Sequence, residues 1–375
     1  MKRNIAFHAG IRRGSAHTCN SGKINLTTKK NDCSAAPERI SLDLSSDCNQ
    51  RCRYCCFFGR KEGFPRRELT TEEWREVIRE AGRIGVMEIT FRGGEPLLRD
   101  DFPALVREAA ANRMRFRLLT NGILMTDAIA AGLAATRRCN QVKISLDGPE
   151  DIHDSTRGPG TCAAAAKGID CVRKHGLPLL VTAAIHRRNY RELPRILSHL
   201  IDEQRYAQVA LSLVSDAGEA EELSMDTAAI NEAVRLLLPL LKRYRENLAP
   251  AGLAGMVRHW HRISRKEPRR VPFGSCGSFR EALQIRADGV FVPCPSLCGI
   301  ELGSCDRETL AEVWHSSGKL QKLRGFNLDP GSFARCRSCP YAAFCRGWCP
   351  AMPEGGNSCL KRYIEQCGAL PDELF

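Results

Sequence analysis

Six short apolar segments alternate with helical patterns between residues 39 and 225. The predicted strands are Ile40–Leu44, Val86–Phe91, Phe116–Leu119, Gln141–Leu146, Leu179–Ile185 and Val209–Val214, and the predicted helices are Thr71–Ile84, Asp101–Asn112, Asp127–Ala135, Thr161–His175 and Tyr190–Ile201. This alternation predicts a parallel sheet with right-handed crossovers, because parallel neighbours need a long connection between them. Six such units fit a curved, incomplete barrel better than the eight of a closed one. We therefore expect an α/β fold, a partial (β/α)6 TIM-like barrel whose chemistry lies at the carboxyl ends of its strands.

Composition divides the chain into four segments. Residues 1–38 are polar, basic and aperiodic, which is typical of a flexible N-terminal arm. The predicted barrel at 39–225 is followed by a mostly helical pattern at 226–270, which we interpret as a bridge between two domains. Residues 271–375 are rich in Gly, Pro and Cys, as expected where metal ligation replaces apolar burial.

The chain has nineteen cysteines, an odd number that cannot all pair internally. The N-terminus lacks the apolar run of a secretory signal, and no segment reaches the ~18 apolar residues of a spanning helix. We therefore expect a cytoplasmic protein with no membrane partner. In a reducing compartment, clustered cysteines are more often metal ligands or catalytic groups than disulfides. A net charge of +13 favours anionic partners without choosing among them.

The first cysteine cluster comes directly after the first predicted strand. Cys48, Cys52 and Cys55 have the spacing Cys-x3-Cys-x2-Cys. A cubic iron-sulfur cluster takes four ligands, so three cysteines on one loop leave one iron open to a ligand from outside the protein. The alternative for this spacing alone is a zinc site with a distant fourth ligand.

Polar motifs follow the next three predicted strands. They are Gly93-Gly94-Glu95-Pro96, Thr120-Asn121-Gly122 and Ser145-Leu146-Asp147-Gly148. Each has a plainer reading by itself, such as a tight turn. Because the carboxyl ends of parallel strands share one rim, we expect the motifs to meet around the cysteine loop.

These motifs, in this order, resemble the radical S-adenosylmethionine (radical SAM) enzymes, and the resemblance covers essentially residues 39–375. It implies that Cys48, Cys52 and Cys55 hold a [4Fe-4S] cluster whose open iron binds the methionine moiety of SAM. The implied SAM contacts are Tyr54 near the adenine, Gly93, Gly94 and Glu95 at the methionine ammonium, Ser145, Asp147 and Arg157 at the ribose and carboxylate, and Asn121 on the same rim. We interpret His153 as a loop residue without a role, and Arg157 alone would read as a surface charge.

The second constellation is Cys276-x12-Gly289-x4-Cys294, then Cys336-x2-Cys339-x5-Cys345-x3-Cys349, then Cys359. It resembles the SPASM extension of radical SAM enzymes, although its middle four cysteines alone would also suit a zinc ribbon. The resemblance implies two auxiliary [4Fe-4S] clusters, and thus three in all. The implied ligands are Cys276, Cys294 and Cys349 for the first and Cys336, Cys339, Cys345 and Cys359 for the second. Cys367 is the alternative to Cys359 as the last ligand of the second cluster. The fourth ligand of the first auxiliary cluster is Cys298, Cys305 or a donor from outside the protein.

The resemblance implies reductive cleavage of SAM to a 5′-deoxyadenosyl radical, which removes a hydrogen atom from an unactivated substrate carbon. Our first hypothesis for the substrate is a ribosomally made peptide that receives a thioether, a carbon-carbon crosslink or a related oxidation. A flavodoxin- or ferredoxin-like electron donor is the second expected partner. The 38-residue arm is too short for a winged peptide-recognition domain, which weighs against a peptide.

Three alternatives remain at this point. The first is a small-molecule dehydrogenase. The second is a sulfatase-activating enzyme, disfavoured because Pro293-Cys294 is followed by Pro295 where that group has an Asp. The third is an iron-sulfur nucleic-acid-binding or sensor protein, suggested by the net charge. Nucleic acid is the poorer choice because charge runs are usually solvated and the SAM motifs would be unexplained.

Overall fold

The computed structural model describes residues 34–55, 67–214, 221–264 and 278–326. In chain order, its elements are β1 (Arg39–Asp43), α1 (Thr71–Ile84), β2 (Glu88–Arg92), α2 (Phe102–Ala111), β3 (Arg115–Thr120), α3 (Asp127–Ala135), β4 (Cys139–Ser145), α4 (Glu150–Arg157), α5 (Thr161–Lys174), β5 (Leu179–Ile185), α6 (Leu193–Leu197), β6 (Val209–Leu213), α7 (Thr227–Arg243), β7 (Leu248–Ala251), α8 (Gly252–Ser264), β8 (Ala282–Ile285), β9 (Val290–Val292), β10 (Gly303–Ser304), α9 (Leu310–Ser316) and α10 (Gly318–Phe326). Short 3₁₀ helices lie at Pro96–Leu98, Tyr190–Glu192, Glu221–Leu223 and Pro295–Leu297, and a π-helical turn lies at Ser198–Glu203. None of the helices in these ranges carries an apolar stretch long enough to cross a membrane.

The strands form one sheet in the order β10-β9-β8-β1-β2-β3-β4-β5-β6-β7. Strands β1 to β7 are parallel to their neighbours, and β8 pairs in parallel with the free side of β1. Strands β9 and β10 are antiparallel additions. Among the described residues β7 and β10 do not pair with each other, so the barrel is open. The predicted α/β fold with a parallel, incomplete barrel is confirmed.

The helices cover one face of the parallel sheet. The ring of Phe91 on β2 meets Phe102 on α2, with ring centroids 5.7 Å apart. Ile144 on β4 is fully buried and packs in the main core with Ala165 on α5. Because side chains alternate along a strand, the residues between these positions face the other way. We call that side, opposite the helices, the inner face.

Helix α1 illustrates how local sequence sets the element ends. Thr70 accepts a hydrogen bond from the Glu73 amide, and the Glu73 carboxylate accepts one from the Thr70 amide. This capping box satisfies amides that the first helical turn leaves unpaired. Gly85 ends the helix with a φ of 93°, a left-handed conformation that glycine adopts at low cost.

The structure differs from the predicted elements in three places. The stretch 226–270, predicted as a helical bridge, contains strand β7, whose four residues are too few to show a periodicity. The predicted helix Tyr190–Ile201 is divided into a 3₁₀ helix, α6 and a π-helical turn, with Pro194 at the start of α6. Helix α4 was missed because it has only eight residues. The N-terminal arm falls outside the described residues up to residue 33, and the domain boundaries remain predictions.

Candidate cofactor site

The cysteine loop leaves β1 at the carboxyl end of the parallel strands. Its first residues are fixed by Glu68, whose Oε1 accepts hydrogen bonds from the Ser45 hydroxyl at 3.1 Å and the Ser46 amide at 2.6 Å. Arg99 donates to the carbonyl of Leu44 at 3.2 Å, immediately before the loop. The start of the loop is therefore held from two directions.

The three thiols of this loop are partly buried and form no disulfide. Burial raises the pKa of Cys48, and burial raises the pKa of Cys52 to about 11. Neighbouring thiols raise both pKa values further, Cys55 acting on each of them. In the described ranges no three Cys, His, Asp or Glu side chains already form a closed metal-ligating group. A bound cation would relieve the cost of charging adjacent thiols, which suits metal ligation.

Nitrogen donors point at two of the thiols. The backbone amide of Gln50 lies 3.4 Å from Cys48 Sγ, and Nδ2 of Asn121 lies 3.8 Å from the same sulfur. Nη1 of Arg157 lies 3.8 Å from Cys52 Sγ. Donors of this kind stabilise thiolates and tune the potential of an iron-sulfur cluster, so the surroundings of the loop fit such a cluster.

Gly93 and Gly94 let the end of β2 pass directly beneath the cysteine loop. The Gly94 amide donates to the Ser45 carbonyl at 2.8 Å, and the Glu95 amide donates to the Asp47 carbonyl at 2.8 Å. A Cβ on Gly94 would lie 2.0 Å from the Asp47 carbonyl oxygen, and one on Gly93 would lie 2.5 Å from the Ser45 carbonyl oxygen. Two glycines are therefore required by close backbone approach.

Gly94→Ala is expected to displace the cysteine loop, because the new methyl group has no space beside the Asp47 carbonyl. Iron incorporated on anaerobic reconstitution should fall by about one cluster, or about four irons per chain. Gly132→Ala is the matched control, since a Cβ there meets nothing within 4 Å. Equal iron content in the two variants would contradict this account.

Glu95 is fully buried and joins the ends of β2 and β3. Its Oε1 accepts hydrogen bonds from the Thr120 hydroxyl at 2.7 Å and the Leu97 amide at 3.1 Å, and its Oε2 accepts one from the Asn121 amide at 2.8 Å. Burial raises the pKa of Glu95, whereas these three donors lower it. The structure thus gives Glu95 a clamping role that the sequence did not predict, beside the predicted ammonium contact.

Glu95→Gln should weaken SAM binding and lower thermal stability, while cluster assembly persists. The glutamine NH2 group would face a backbone or hydroxyl donor, and an unsatisfied buried donor costs about 1–3 kcal/mol. Calorimetric titration with SAM and thermal unfolding measure the two effects. Glu72→Gln, on the exposed face of α1, is the control. SAM affinity equal to that of the wild type would remove Glu95 from the site.

The buried side chains of Asp147 and Arg157 and the partly buried Tyr54 form one network behind Cys52. Nε and Nη2 of Arg157 donate to the two Asp147 oxygens at 2.7 and 3.1 Å, and the Tyr54 hydroxyl donates to Oδ2 at 2.7 Å. The Ala184 amide donates to Oδ1 at 2.8 Å. Arg157 holds the pKa of Asp147 below its ordinary value despite complete burial. In the described structure Asp147 therefore contacts protein groups and is closed to solvent, whereas the sequence predicted a ribose or carboxylate contact.

Ser145 and His186 extend the rim on β4 and β5. Ser145 ends β4, and its register partner is Thr182 on β5. His186 follows the end of β5, and its ring lies 5.8 Å from that of Tyr54. Burial lowers the pKa of His186 to about 4, so the ring is neutral at neutral pH. Its position one residue beyond a predicted strand was the signal that could have identified it.

His153 is not a loop residue, as the sequence predicted, but lies fully buried in α4. Its Nδ1 accepts a hydrogen bond from the Asp147 amide at 3.1 Å. Burial lowers the pKa of His153 to about 4, and the neutral ring therefore supports the turn that carries Asp147.

The hairpin of β9 and β10 separates two candidates for the open ligand position of the first auxiliary cluster. Cys294 follows β9 and precedes the 3₁₀ helix that ends at Cys298. Cys305 lies at the other end of the hairpin, where its amide donates to the Gly289 carbonyl at 3.0 Å. Cys298 and Cys305 thus flank the hairpin on different sides, and both remain candidates for the fourth ligand. The other predicted auxiliary ligands lie outside the described residues: Cys276, Cys336, Cys339, Cys345, Cys349 and Cys359.

Comparison with known families covers the first cysteine constellation and the part of the second up to residue 340. The profile of the Radical SAM superfamily matches residues 43–200, and that of the SPASM iron-sulfur cluster-binding domain matches residues 276–340. The chain is a radical SAM enzyme with a SPASM domain. Its cofactors are S-adenosylmethionine and [4Fe-4S] clusters.

Three relatives of this radical SAM enzyme have different named activities. The PqqA peptide cyclase of Granulibacter bethesdensis is 27% identical over 81% of this chain and 79% of its own. The AdoMet-dependent heme synthase of Oleidesulfovibrio alaskensis is 26% identical over 87% and 86%. The mycofactocin maturase MftC of Mycobacterium tuberculosis is 26% identical over 84% and 79%.

Solved structures share the fold of this radical SAM enzyme. The structure of anSMEcpe with bound AdoMet has a TM-score of 0.71 and 16% identity, covering 87% of this chain and 96% of that one. SuiB of Streptococcus suis, bound to the precursor peptide SuiA, has a TM-score of 0.68 and 16% identity, covering 85% and 73%. At this identity the likeness concerns the fold alone.

Proposed function

We propose that this radical SAM enzyme oxidatively modifies a ribosomally made peptide, by a thioether, a carbon-carbon crosslink or a related change. The observation that carries the proposal is the similarity to PqqA peptide cyclase and MftC, which extends over more than four-fifths of this chain. The net charge of +13 also suits a peptide with an acidic segment.

Cys48, Cys52 and Cys55 are the proposed ligands of the SAM-binding cluster. Three thiols with the Cys-x3-Cys-x2-Cys spacing, two of them with nitrogen donors beside the sulfur, suit a cluster with one open iron. When bound, the cluster and SAM supply a 5′-deoxyadenosyl radical that removes a hydrogen atom from the substrate. The chain's own contribution is to hold the SAM molecule and exclude water from the rim.

Each rim residue has a proposed part in binding SAM. Gly93 and Gly94 offer backbone near the methionine ammonium, and Ser145 offers a hydroxyl to the ribose or carboxylate. Arg157 retains one nitrogen beyond its bidentate pair with Asp147, and that nitrogen lies beside Cys52. We assign Asp147 to positioning Arg157 and Tyr54. The adenine is expected near Tyr54, and Asn121 completes the rim.

The SPASM cysteines are proposed to hold two auxiliary clusters with the ligand sets predicted from sequence, the first completed by Cys298, by Cys305 or by a donor from outside the protein. These clusters would accept an electron from the substrate, bind the substrate, or both. The proposed external reductant is a flavodoxin- or ferredoxin-like protein, because the SAM-binding cluster must receive an electron from outside the chain.

A second candidate is modification of a small molecule, favoured by the similarity to AdoMet-dependent heme synthases. The two candidates make different demands on the substrate. A peptide maturase should act on a short precursor peptide, whereas the alternative enzyme should ignore peptides and act on a free metabolite.

The experiment incubates the anaerobically reconstituted enzyme with SAM, dithionite and precursor peptides encoded beside its gene. Formation of 5′-deoxyadenosine, together with a mass loss of about 2 Da in one peptide from removal of two hydrogens, is expected. 5′-Deoxyadenosine without any peptide change would favour the small-molecule candidate. Its complete absence in an iron-replete sample would contradict radical SAM activity itself.

A further inference from the structure

The inner face of β1 to β4 carries more cations than anions. Arg92 pairs with Asp43, Nε to Oδ1 at 3.0 Å, and Arg117 pairs with Glu88, Nε to Oε1 at 2.9 Å. Lys143 on β4 is a further cation, and no ion pair or hydrogen bond of its side chain occurs within the described ranges. Its positive charge is therefore not matched by these carboxylates.

Lys143 is held on the inner face by its neighbours in β4. Val142 and Ile144 are fully buried in the core beneath the helices, so strand alternation directs Lys143 to the opposite side. Burial lowers the pKa of Lys143, and the charge of Arg92 lowers it further. An anion bound between the two cations would remove this penalty, since buried charges are stable only when paired.

Thr182 supplies a second donor without a partner beside Lys143. The residue is only 7% exposed, and its hydroxyl has no hydrogen-bond partner among the described residues. In the register of β4 and β5, Lys143 pairs with Leu180 and Ser145 pairs with Thr182. The hydroxyl thus lies diagonally from Lys143, one step nearer the rim.

The far wall of the inner face is apolar, in contrast to the cationic wall. Strands β5 to β7 contribute two small clusters that are separate from the main core. The cluster farther from the rim contains Leu180, Ala210 and Ala249. The cluster nearer the rim contains Ala184, Val214 and, from the 3₁₀ helix after β6, Leu223, with Tyr54 packed against it. A ligand with a carbon chain that ends in one carboxylate, such as an acidic side chain, matches both walls.

We propose that Lys143, Arg92 and Thr182 form a subsite that binds a side-chain carboxylate of the peptide substrate. The proposal rests on the proposed function and adds the chemical class of the recognised residue, a glutamate or aspartate. Ser145 lies two residues beyond Lys143 on the same strand face, or about 7 Å toward the rim. A carbon chain anchored at Lys143 therefore extends toward the cysteine loop, where hydrogen abstraction is proposed.

The test measures binding of N-acetyl-glutamate N-methylamide to the anaerobic, SAM-bound enzyme by calorimetry. The glutamate probe should bind about ten-fold or more tightly than its glutamine counterpart, because a charged hydrogen bond is lost in the amide. Lys143→Met should weaken the glutamate probe about ten-fold or more, and Thr182→Val should weaken it several-fold. Lys143→Arg should retain binding, and Lys167→Met, exposed on α5, is the matched control.

Two further measurements separate the possible sources of the carboxylate. N-acetyl-valine, whose only carboxylate is terminal, should bind more weakly than the glutamate probe. SAM affinity should be the same in Lys143→Met and wild type, since the subsite is assigned to substrate. A fall in SAM affinity in this variant would mean that Lys143 serves the SAM carboxylate, and would overturn the proposal.

Three other results would also overturn the proposed subsite. They are equal affinity for the glutamate and glutamine probes, no saturable binding of the glutamate probe, and tighter binding of N-acetyl-valine than of the glutamate probe. The proposed function is judged separately, by 5′-deoxyadenosine formation and peptide mass in the wild type. Wild-type modification of a peptide with no probe discrimination would leave the function standing and remove only the subsite.

Discussion

Replacement of Cys48, Cys52 and Cys55 together by alanine is expected to abolish SAM cleavage and to lower the iron content by about four atoms per chain. The wild type, with three clusters, should bind about twelve. The loss follows because these thiols are the proposed ligands of one cluster, whereas the proposed ligands of the auxiliary clusters lie far along the chain. Iron and sulfide analysis after anaerobic reconstitution, with 5′-deoxyadenosine quantified in parallel, measures both effects.

The control replaces Cys139, Cys162 and Cys171, which lie in β4 and α5 away from the loop. This variant removes the same number of thiols but should keep the wild-type iron content. If the first triple variant also kept all its iron, the ligand assignment would be rejected.

Arg157→Met should destabilise the protein by about 3–5 kcal/mol, because it leaves Asp147 charged and without its partner in a fully buried site. Urea unfolding under anaerobic conditions measures the loss. Asp147→Asn should recover part of it in the double variant, since the uncompensated charge is then removed. Arg157→Met alone should also shift the midpoint potential of the SAM-binding cluster, because the Arg157 nitrogen 3.8 Å from Cys52 Sγ is lost.

The stability that the Asp147–Arg157 pair contributes should fall as the pH is lowered. The folded-state pKa of Asp147 is lowered, so its contribution to stability is present above the ordinary Asp pKa near 4 and is lost as pH falls through the lowered value.

The matched control for Arg157→Met is Arg195, which pairs with Asp151 on the surface at 2.7 Å. Arg195→Met should cost at most about 1 kcal/mol. Equal losses in the two variants would mean that burial of the Asp147 pair has no special effect.

The sequence predicted the parallel sheet and its rim well, because strand periodicity and the motif order both carry that information. The bounds of α1, α3 and β5 agree with their predictions. The meeting of Cys48, Asn121 and Glu95 at one rim is also visible from the positions of their motifs after successive strands.

The roles within the rim were less accessible to prediction. That Asp147 and Glu95 are closed to solvent depends on donors from Ala184 and Thr120, which lie on other strands. Sequence spacing contains no distance between strands, so these partners could be found only in three dimensions. Strand β7 was missed because its four residues, which include Pro250, are too few to show a period.

Lys143 illustrates information that was present but unused. A lysine between two buried apolar residues of a strand must face the side opposite the helices. What the sequence does not contain is the identity of its neighbours there. The parallel register places Thr182 diagonally from it, and the charge of Arg92 is close enough to lower the pKa of Lys143.

The pairing of β1 with β8 sets a condition on how this protein is synthesised. Arg39 at the start of β1 pairs with Glu281 at 3.1 Å, 242 positions later in the chain. A ribosome adds about 5–20 residues per second, so one edge of β1 waits for its permanent neighbour for tens of seconds at the slower rates. During this interval the unpaired backbone groups on one edge of β1 are open to association with other nascent chains. Production in a heterologous host should therefore give more soluble protein when expression is weak or a chaperone is co-expressed. A chain truncated before β8 should aggregate even when its SAM motifs are intact.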